Sequence, residues 1–189
     1  MNKKEKAGEL QTRRIIYKYI LKHPGLHERE LARQLNLPLG TLDYHLYYLK
    51  KQELVTTASD GHYTQYYISG KISSKDKKLI ATLRHEALRK IIIFLLLENS
   101  SYHREICEHL KLARSTTTFH LNKLVELEII NRTQKGRDSV FDIKDPQHIS
   151  NLIITYKKSF LDDAVNRFAD TWLELHPRQL RKTKRKKED

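Results

Sequence analysis

Apolar positions recur every three or four residues in two parts of the chain, a spacing that is typical of amphipathic helices. In each part three such stretches follow one another, and a short turn separates the second from the third. The third stretch is the most regular, because its inward positions follow an i, i+4, i+7 spacing. These positions are Leu42, Leu46 and Leu49 in the first part and Thr117, Leu121 and Leu124 in the second.

Beyond each third helix the period falls from 3.6 to 2, which predicts two β-strands joined by a tight turn. The first pair of strands spans 55–58 and 63–68, and the second pair spans 130–134 and 139–143. A glycine, Gly136, stands in the second turn, where a hairpin favours positive φ, and Gly61 stands in the first. Each part therefore has the order helix, helix, turn, helix and hairpin, which is a winged helix-turn-helix domain.

The two parts align without a gap when the chain is shifted by 75 residues. Residues 14–68 then face residues 89–143, with 14 identities in 55 positions, and several other pairs exchange one apolar residue for another. Such self-similarity indicates two copies of one supersecondary unit. We expect winged helix 1 at 13–70 and winged helix 2 at 89–145, in a mainly α fold with small β-hairpin wings.

Two further segments have helical patterns of their own. Residues 71–88 are expected to form a connecting helix with Ser73 or Ser74 as its N-cap. Residues 146–176 carry a long apolar stripe, which predicts one amphipathic C-terminal helix. This stripe could pack on the chain's own winged helices or against a second copy, and a homodimer is the preferred interpretation. The predicted dimer contacts are Ile149, Ile153, Tyr156, Phe160, Phe168 and Trp172.

The charge balance points to a polyanionic partner. The chain has 36 Lys and Arg against 23 Asp and Glu, a formal net charge of +13. The longest apolar run, residues 91–97, is far too short to cross a membrane. Both ends, 1–12 and 177–189, are basic and are expected to be disordered; the second could contact DNA phosphates or act as a solubilising tail. A single cysteine, Cys107, is typical of a reducing, cytoplasmic environment.

The sequence indicates no enzyme, metal site or cofactor. Six glycines leave little room for a glycine-rich phosphate loop, and no catalytic constellation is visible. His45 and His120 occupy equivalent positions beside inward leucines, which favours structural imidazoles over metal ligands. Cys107 aligns with Ala32, which favours a small core residue over a redox switch.

Residues 38–55 and 113–130 each contain a third helix and the start of the strand that follows it. Both stretches resemble the recognition helix and wing of ArsR/MarR-like winged-helix regulators. Two such domains followed by a helical tail resemble archaeal-type tandem winged helix-turn-helix transcriptional regulators, and the resemblance covers roughly residues 10–145. It implies that each third helix enters the major groove of double-stranded DNA while the wing reaches the backbone or minor groove.

In the second copy, the outward positions of the third helix and the cations of the wing are the predicted DNA contacts. Arginine and asparagine are bidentate readers of guanine and adenine edges, and hydroxyls suit bases or phosphates. The predicted contacts are Arg114, Ser115, Thr116, Thr118, Phe119, Asn122 and Lys123 on the helix, with Arg132, Lys135 and Arg137 in the wing.

The first copy is chemically different on the same face. Its tyrosines can stack on sugars and donate to phosphates, but Asp43 would repel phosphates, and aromatic clusters also mark protein interfaces. DNA contact is the preferred interpretation, with self-association or partner binding as the alternative. The predicted DNA contacts are Gly40, Thr41, Tyr44, Tyr47, Tyr48 and Lys51.

Together these observations predict a cytoplasmic, sequence-specific DNA-binding transcriptional regulator that is homodimeric and recruits or blocks polymerase or basal factors. A tandem winged-helix protein scaffold is an alternative, although such a scaffold has no need of a charge of +13. A nonspecific chromatin-type protein is a third class, and steep salt dependence without sequence discrimination would favour it.

Overall fold

The computed structural model describes residues 3–59, 63–160 and 162–175. The chain divides into two compact units, unit 1 at 1–84 and unit 2 at 85–189. No helix among the described residues is long and apolar enough to span a membrane.

The described residues of unit 1 form four helices and three short strands. Its three short strands form an antiparallel sheet in the order β1-β3-β2, in which Val55 faces Ile68 and Ser59 faces Thr64. The elements are α1 (Lys3–Lys22), β1 (Leu26–His27), α2 (Glu28–Leu35), α3 (Leu39–Lys51), β2 (Val55–Ser59), β3 (Thr64–Ile68) and α4 (Ser74–Arg84).

Unit 2 repeats the order of the first six elements of unit 1, and three helices follow its hairpin. Its sheet has the order β4-β6-β5, again antiparallel. The elements are α5 (Glu86–Glu98), β4 (Ser100–Tyr102), α6 (His103–Leu110), α7 (Arg114–Glu126), β5 (Ile130–Lys135), β6 (Asp138–Ile143), α8 (Pro146–Thr155), α9 (Lys157–Phe160) and α10 (Asp163–Leu175). The mainly α fold with hairpin wings is confirmed, and α2 and α3 lie 75 residues before α6 and α7 at both ends.

The backbone repeats with the same offset at the end of each third helix. Glu53 and Glu128 both adopt a left-handed conformation, with φ of 55° and 56°. Directly after them, Leu54 N–H donates to the Leu49 carbonyl and Ile129 N–H donates to the Leu124 carbonyl, each at 3.0 Å. These bonds satisfy carbonyls that the end of a helix leaves open and turn the chain into the first wing strand.

Each unit has an apolar core under its third helix. In unit 1, Leu42, Leu46 and Leu49 are buried together with Ile16 and Ile20 of α1. In unit 2, Leu121 and Leu124 are fully buried and Thr117 occupies the third inward position. The inward stripe that the spacing predicts is therefore the buried side of both helices.

The N-terminal arm, predicted to be disordered over 1–12, is helical from Lys3 onward. Its last part is held by an ion pair of 2.9 Å between Arg13 and Glu9, one turn apart. The same two side chains also contact tyrosines of α3, as described below. Local pairing and a tertiary contact thus stabilise a segment that has few apolar residues. The basic tail at 177–189 lies outside the described residues.

The single C-terminal helix predicted at 146–176 is wrong, because the segment forms three helices. Tyr156 ends α8, and the Asp162 carboxylate accepts from the Ala164 N–H at 2.8 Å where α10 begins. Both Arg89 Nε and Nη2 donate to Asp162 Oδ2, at 2.9 and 2.6 Å, which ties this break to α5.

The apolar stripe of this segment packs within its own unit, which corrects its assignment to a dimer interface. Helix α10 contacts α5 and α8, so the stripe completes the core of unit 2. Buried side chains cannot present a dimer surface without leaving that core. Tyr156 is half-buried, and the other predicted dimer contacts, Ile149, Ile153, Phe160, Phe168 and Trp172, are at most 8% exposed.

Candidate nucleic-acid interface

The outward face of α7 carries the side chains that the sequence analysis assigns to DNA. Because Thr117, Leu121 and Leu124 point into unit 2, the positions between them are turned to solvent. Lys123 is half-buried, and the remaining predicted contacts on this helix are exposed: Arg114, Ser115, Thr116, Thr118, Phe119 and Asn122. The face combines two cations, hydroxyls, an amide and one aromatic ring. Cations, hydroxyls and amides are suited to base edges and phosphates.

The wing of unit 2 presents three exposed cations on a tight hairpin. Gly136 adopts φ of 63° in the turn, where a side chain would be strained. Arg132 Nε donates to Ser139 Oγ at 3.1 Å, and its guanidinium lies 5.9 Å from the Phe141 ring centre. Arg132 is thus oriented across the hairpin, while Lys135 and Arg137 lie exposed beside the turn.

The start of α7 is tied to α6 by a contact that sequence reasoning missed. His103 Nε2 lies 2.8 Å from Thr118 Oγ1, and Thr118 Oγ1 donates to the Arg114 carbonyl at 2.8 Å. Burial, followed by the charges of Arg114 and Arg132, lowers the pKa of His103 below its ordinary value. The ring is therefore neutral at pH 7. No local pattern marks His103, because the contact depends on how α6 packs against α7.

The outward face of α3 is aromatic where that of α7 is polar. Tyr44, Tyr47 and Tyr48 are 50%, 66% and 39% exposed. The guanidinium of Arg13 stacks on Tyr48, with 3.7 Å from its carbon to the ring centre. Tyr44 Oη donates to Glu9 at 3.4 Å, so α1 borders this face. The other predicted contacts, Gly40, Thr41 and Lys51, are exposed, and the turn of this wing at 60–62 lies outside the described residues.

Two histidines sit on the inner side of the third helices at equivalent positions. His45 is 4% exposed and His120 is half-buried. Burial lowers the pKa of both; Arg13 adds to the effect at His45, and Lys123 and His85 add to it at His120. Cys107 is only half-buried, and its sulfur lies 3.5 Å from His103 Nδ1. In the described parts of the chain, no three His, Cys, Asp or Glu side chains are placed to hold a metal ion.

Comparison with known proteins places both units among helix-turn-helix domains. Residues 10–80 match a family model described as an N-terminal HTH domain. Residues 87–132 match the family described as bacterial regulatory protein, arsR family. A protein of Methanocaldococcus jannaschii named as an uncharacterized HTH-type transcriptional regulator is 35% identical over 141 residues. That match spans 75% of this chain but 35% of the relative, so the chain corresponds to about a third of the relative's length.

Solved structures with partial likeness include two bacterial proteins. The transcriptional repressor PagR of Bacillus anthracis is 26% identical over 41% of this chain and 88% of its own, with a TM-score of 0.38. HlyU from Vibrio cholerae is 19% identical over 47% of this chain and 96% of its own, with a TM-score of 0.42.

The family matches agree with the geometry of each unit. Both units have a helix-turn-helix followed by a hairpin wing, and the helix-turn-helix of each lies in a segment that matches an HTH family. The chain therefore carries two tandem winged helix-turn-helix domains, and it is similar to HTH-type transcriptional regulators.

Proposed function

We propose that this chain binds double-stranded DNA in a sequence-specific manner and regulates transcription by occupying its site. The observation that carries this proposal is the polar outward face of α7 next to a wing with three exposed cations. An exposed recognition helix with this composition has groups for base edges, and the wing has groups for phosphates. The match of this unit to the arsR family supports the same assignment.

Within this proposal, α7 provides the base readout. Arg114 and Asn122 are the side chains with bidentate geometry for guanine and adenine, and they lie two helical turns apart on one face. Ser115, Thr116 and Thr118 add hydroxyls near the start of the helix. Lys135 and Arg137 of the wing are placed to neutralise backbone phosphates, which adds affinity but no sequence information.

We assign α3 a supporting role in DNA binding. Its exposed tyrosines can donate to phosphates and stack on sugars, and Lys51 adds a cation at the end of the helix. Asp43 is exposed on the same face and opposes a close approach of phosphates. Unit 1 is therefore proposed to add sequence-independent contacts, and a protein partner on this face is the alternative.

Several further features belong to the proposal. The chain acts without catalysis in the cytoplasm, and contacts with polymerase or basal factors give the regulatory effect. Two copies on one operator would place two sets of recognition helices on paired half-sites. Such a dimer would use a surface other than the buried stripe of 146–176, and sedimentation with and without DNA would measure its stoichiometry.

The decisive experiment is the selection of bound sequences from a random pool of duplex DNA at moderate salt, using the full chain. An enriched motif supports the regulator, and a repeated motif supports two copies on one site. A second class, the nonspecific chromatin-type protein, is favoured by the net charge of +13 spread along the chain. Binding with a steep salt slope but without enrichment would support that class. Absence of binding would support a protein scaffold.

A further inference from the structure

A chain of three side chains runs from α6 to the first turn of α7. Cys107 Sγ lies 3.5 Å from His103 Nδ1, and His103 Nε2 lies 2.8 Å from Thr118 Oγ1. Thr118 Oγ1 lies 2.8 Å from the Arg114 carbonyl, one turn earlier in the same helix. The last two residues belong to the outward face assigned to DNA, whereas His103 and Cys107 lie on the preceding helix.

The direction of each hydrogen bond follows from the number of protons available. Thr118 has one hydroxyl proton, and it donates that proton to the Arg114 carbonyl. The hydroxyl oxygen can therefore only accept from His103, so Nε2 carries the ring proton. In a neutral ring Nδ1 is then unprotonated and can accept from the Cys107 thiol. The lowered pKa of His103 agrees with this neutral form.

This arrangement limits what the Thr118 hydroxyl can offer to DNA. Its proton is committed to the Arg114 carbonyl, and one of its two lone pairs is committed to His103. What remains is a single acceptor site. In the major groove, adenine and cytosine present an exocyclic amino group that donates, whereas the corresponding groups of guanine and thymine are carbonyl oxygens that accept.

Unit 1 has no equivalent arrangement. The positions 75 residues earlier are Glu28, Ala32 and Asp43, so two carboxylates stand where unit 2 has an imidazole and a hydroxyl. Two ionised carboxylates cannot donate to each other. The hydrogen-bonded side chains Cys107, His103 and Thr118 are therefore a feature of unit 2, whose outward face is polar. Glu28 corresponds to His103, so it is the matched position for a control variant.

We propose that His103 is a positioning residue that holds the Thr118 hydroxyl as an acceptor, so that α7 prefers adenine or cytosine over guanine or thymine at the base that Thr118 meets. This inference rests on the proposed function. His103 acts through Thr118 and not on DNA, because its donating nitrogen is already occupied. Without the imidazole, only the Arg114 carbonyl holds the Thr118 side chain in this rotamer. The side chain can then rotate away from that carbonyl and donate as well as accept, which relaxes the preference at one base-pair position.

The test compares variants on the motif selected by the full-length wild-type chain and on duplexes that carry each single base-pair change. Fluorescence anisotropy gives the affinities, and a salt series gives the number of phosphate contacts. H103A and T118V should each lose about three- to tenfold discrimination at the same single position, the range expected for one hydrogen bond. H103Q keeps an amide donor at similar reach and should restore the preference. E28A should leave the preference unchanged.

The double variant H103A/T118V should lose no more discrimination than T118V alone, because the imidazole acts through the hydroxyl. Neither the salt slope nor the affinity for unrelated DNA should change. A reduced salt slope in H103A would instead show that the imidazole contacts a phosphate. An unchanged base preference in H103A would show that the imidazole does not position Thr118. Either result overturns the proposal. If H103A does not fold, the base preference of H103Q is compared with that of T118V. The proposal then requires that H103Q keeps the preference and that T118V loses it.

Failure of the proposed function has a different signature. In that case the wild-type chain itself selects no motif, before any variant is compared. If the wild-type chain selects a motif, and H103A and T118V keep its base preference at every position, the proposed function is supported. Only the inference about His103 is then wrong.

Discussion

The two recognition helices, α3 and α7, are alike on one side and different on the other. Positions 46 and 49 of α3 and their counterparts 121 and 124 of α7 are all leucine and all buried. On the outward side, the 75-residue offset aligns Tyr47 with Asn122. Two further pairs differ as sharply: Leu39 with Arg114, and Asp43 with Thr118. The buried side maintains the fold, and the exposed side is where the two units carry different side chains.

The first helices of the two units differ in the same way. Arg14 of α1 is exposed, whereas its counterpart Arg89 of α5 is 6% exposed and paired with Asp162. The first helix of unit 1 also begins earlier than its counterpart, at Lys3. Glu9 within this extension and Arg13 just after it contact the tyrosines of α3. The same position of the repeat thus holds an arginine in a buried ion pair in unit 2 and a solvated arginine in unit 1.

The largest expected effect comes from removing the predicted DNA contacts of unit 2. The triple variant R114A/N122A/R137A should lose about 1–3 kcal/mol of specific binding free energy for each base-reading contact removed. Loss of Arg137, a phosphate contact, should also lower the salt slope by about one. Anisotropy titrations at several salt concentrations would measure both quantities.

The matched change in unit 1 is L39A/Y47A, which truncates the counterparts of Arg114 and Asn122. Both side chains are well exposed, at 46% and 66%, so the fold should tolerate the change. We expect a small loss of affinity that is the same for all DNA sequences. Unchanged affinity and salt slope in the triple variant would refute the assignment to unit 2. A sequence-dependent loss in L39A/Y47A would show that both helices read bases.

The next largest effect concerns stability at the paired positions 14 and 89. R89A leaves the Asp162 carboxylate without its charge partner in a largely buried setting, which should lower the free energy of unfolding by about 2–4 kcal/mol. R14A changes an exposed side chain and should stay within about 0.5 kcal/mol of wild type.

Fluorescence of Trp172 gives a local readout for this comparison. It is the single tryptophan of the chain, and it lies 5% exposed in α10, the helix that Asp162 precedes. Denaturant titrations should show its transition at a lower denaturant concentration in R89A. Equal transitions in R89A and R14A would mean that the ion pair does not hold this segment in place. Burial alone would raise the pKa of Asp162, but the Arg89 and Ala164 hydrogen bonds lower it, so the carboxylate is charged at pH 7.

The fold of each winged helix could be predicted from the sequence because local signals agreed with one another. The inward stripe of α7 follows from the spacing of Thr117, Leu121 and Leu124, and its exposed face follows by exclusion. The hairpin follows from alternation around Gly136. These features depend on residues that are close in sequence, and a repeat shows each of them twice.

The remaining features depend on contacts between residues that are distant in sequence. The apolar spacing of three or four residues continues from Ile153 through Tyr156 to Phe160, so periodicity does not reveal the break after α8. That break is stabilised by Asp162 and Arg89, which are 73 residues apart. The bond from His103 to Thr118 likewise joins two helices, and neither residue has a local signature.

The smallest expected effect concerns a feature that the two units share. His45 and His120 are buried to different degrees. In the folded protein the pKa of each imidazole lies below its ordinary value of 6.5. The unfolded chain therefore binds more protons than the folded chain as the pH falls below about 6.5. The free energy of unfolding should accordingly decrease from pH 7.5 toward the lowered pKa values, and H45Q or H120Q should make this decrease less steep.

Imidazole proton signals in an NMR titration would test the two sites separately, with H45Q and H120Q giving the assignments. Both signals should titrate below 6.5. The two sites differ in their charged neighbours, because Arg13 lies on α1 where unit 2 has Leu88 at the corresponding position, whereas Lys123 lies on α7 itself. R13A should therefore raise the pKa of His45 and leave that of His120 unchanged. If R13A moves neither signal, burial alone accounts for the shift, and Arg13 distinguishes the outward face of α3 without affecting its inner side.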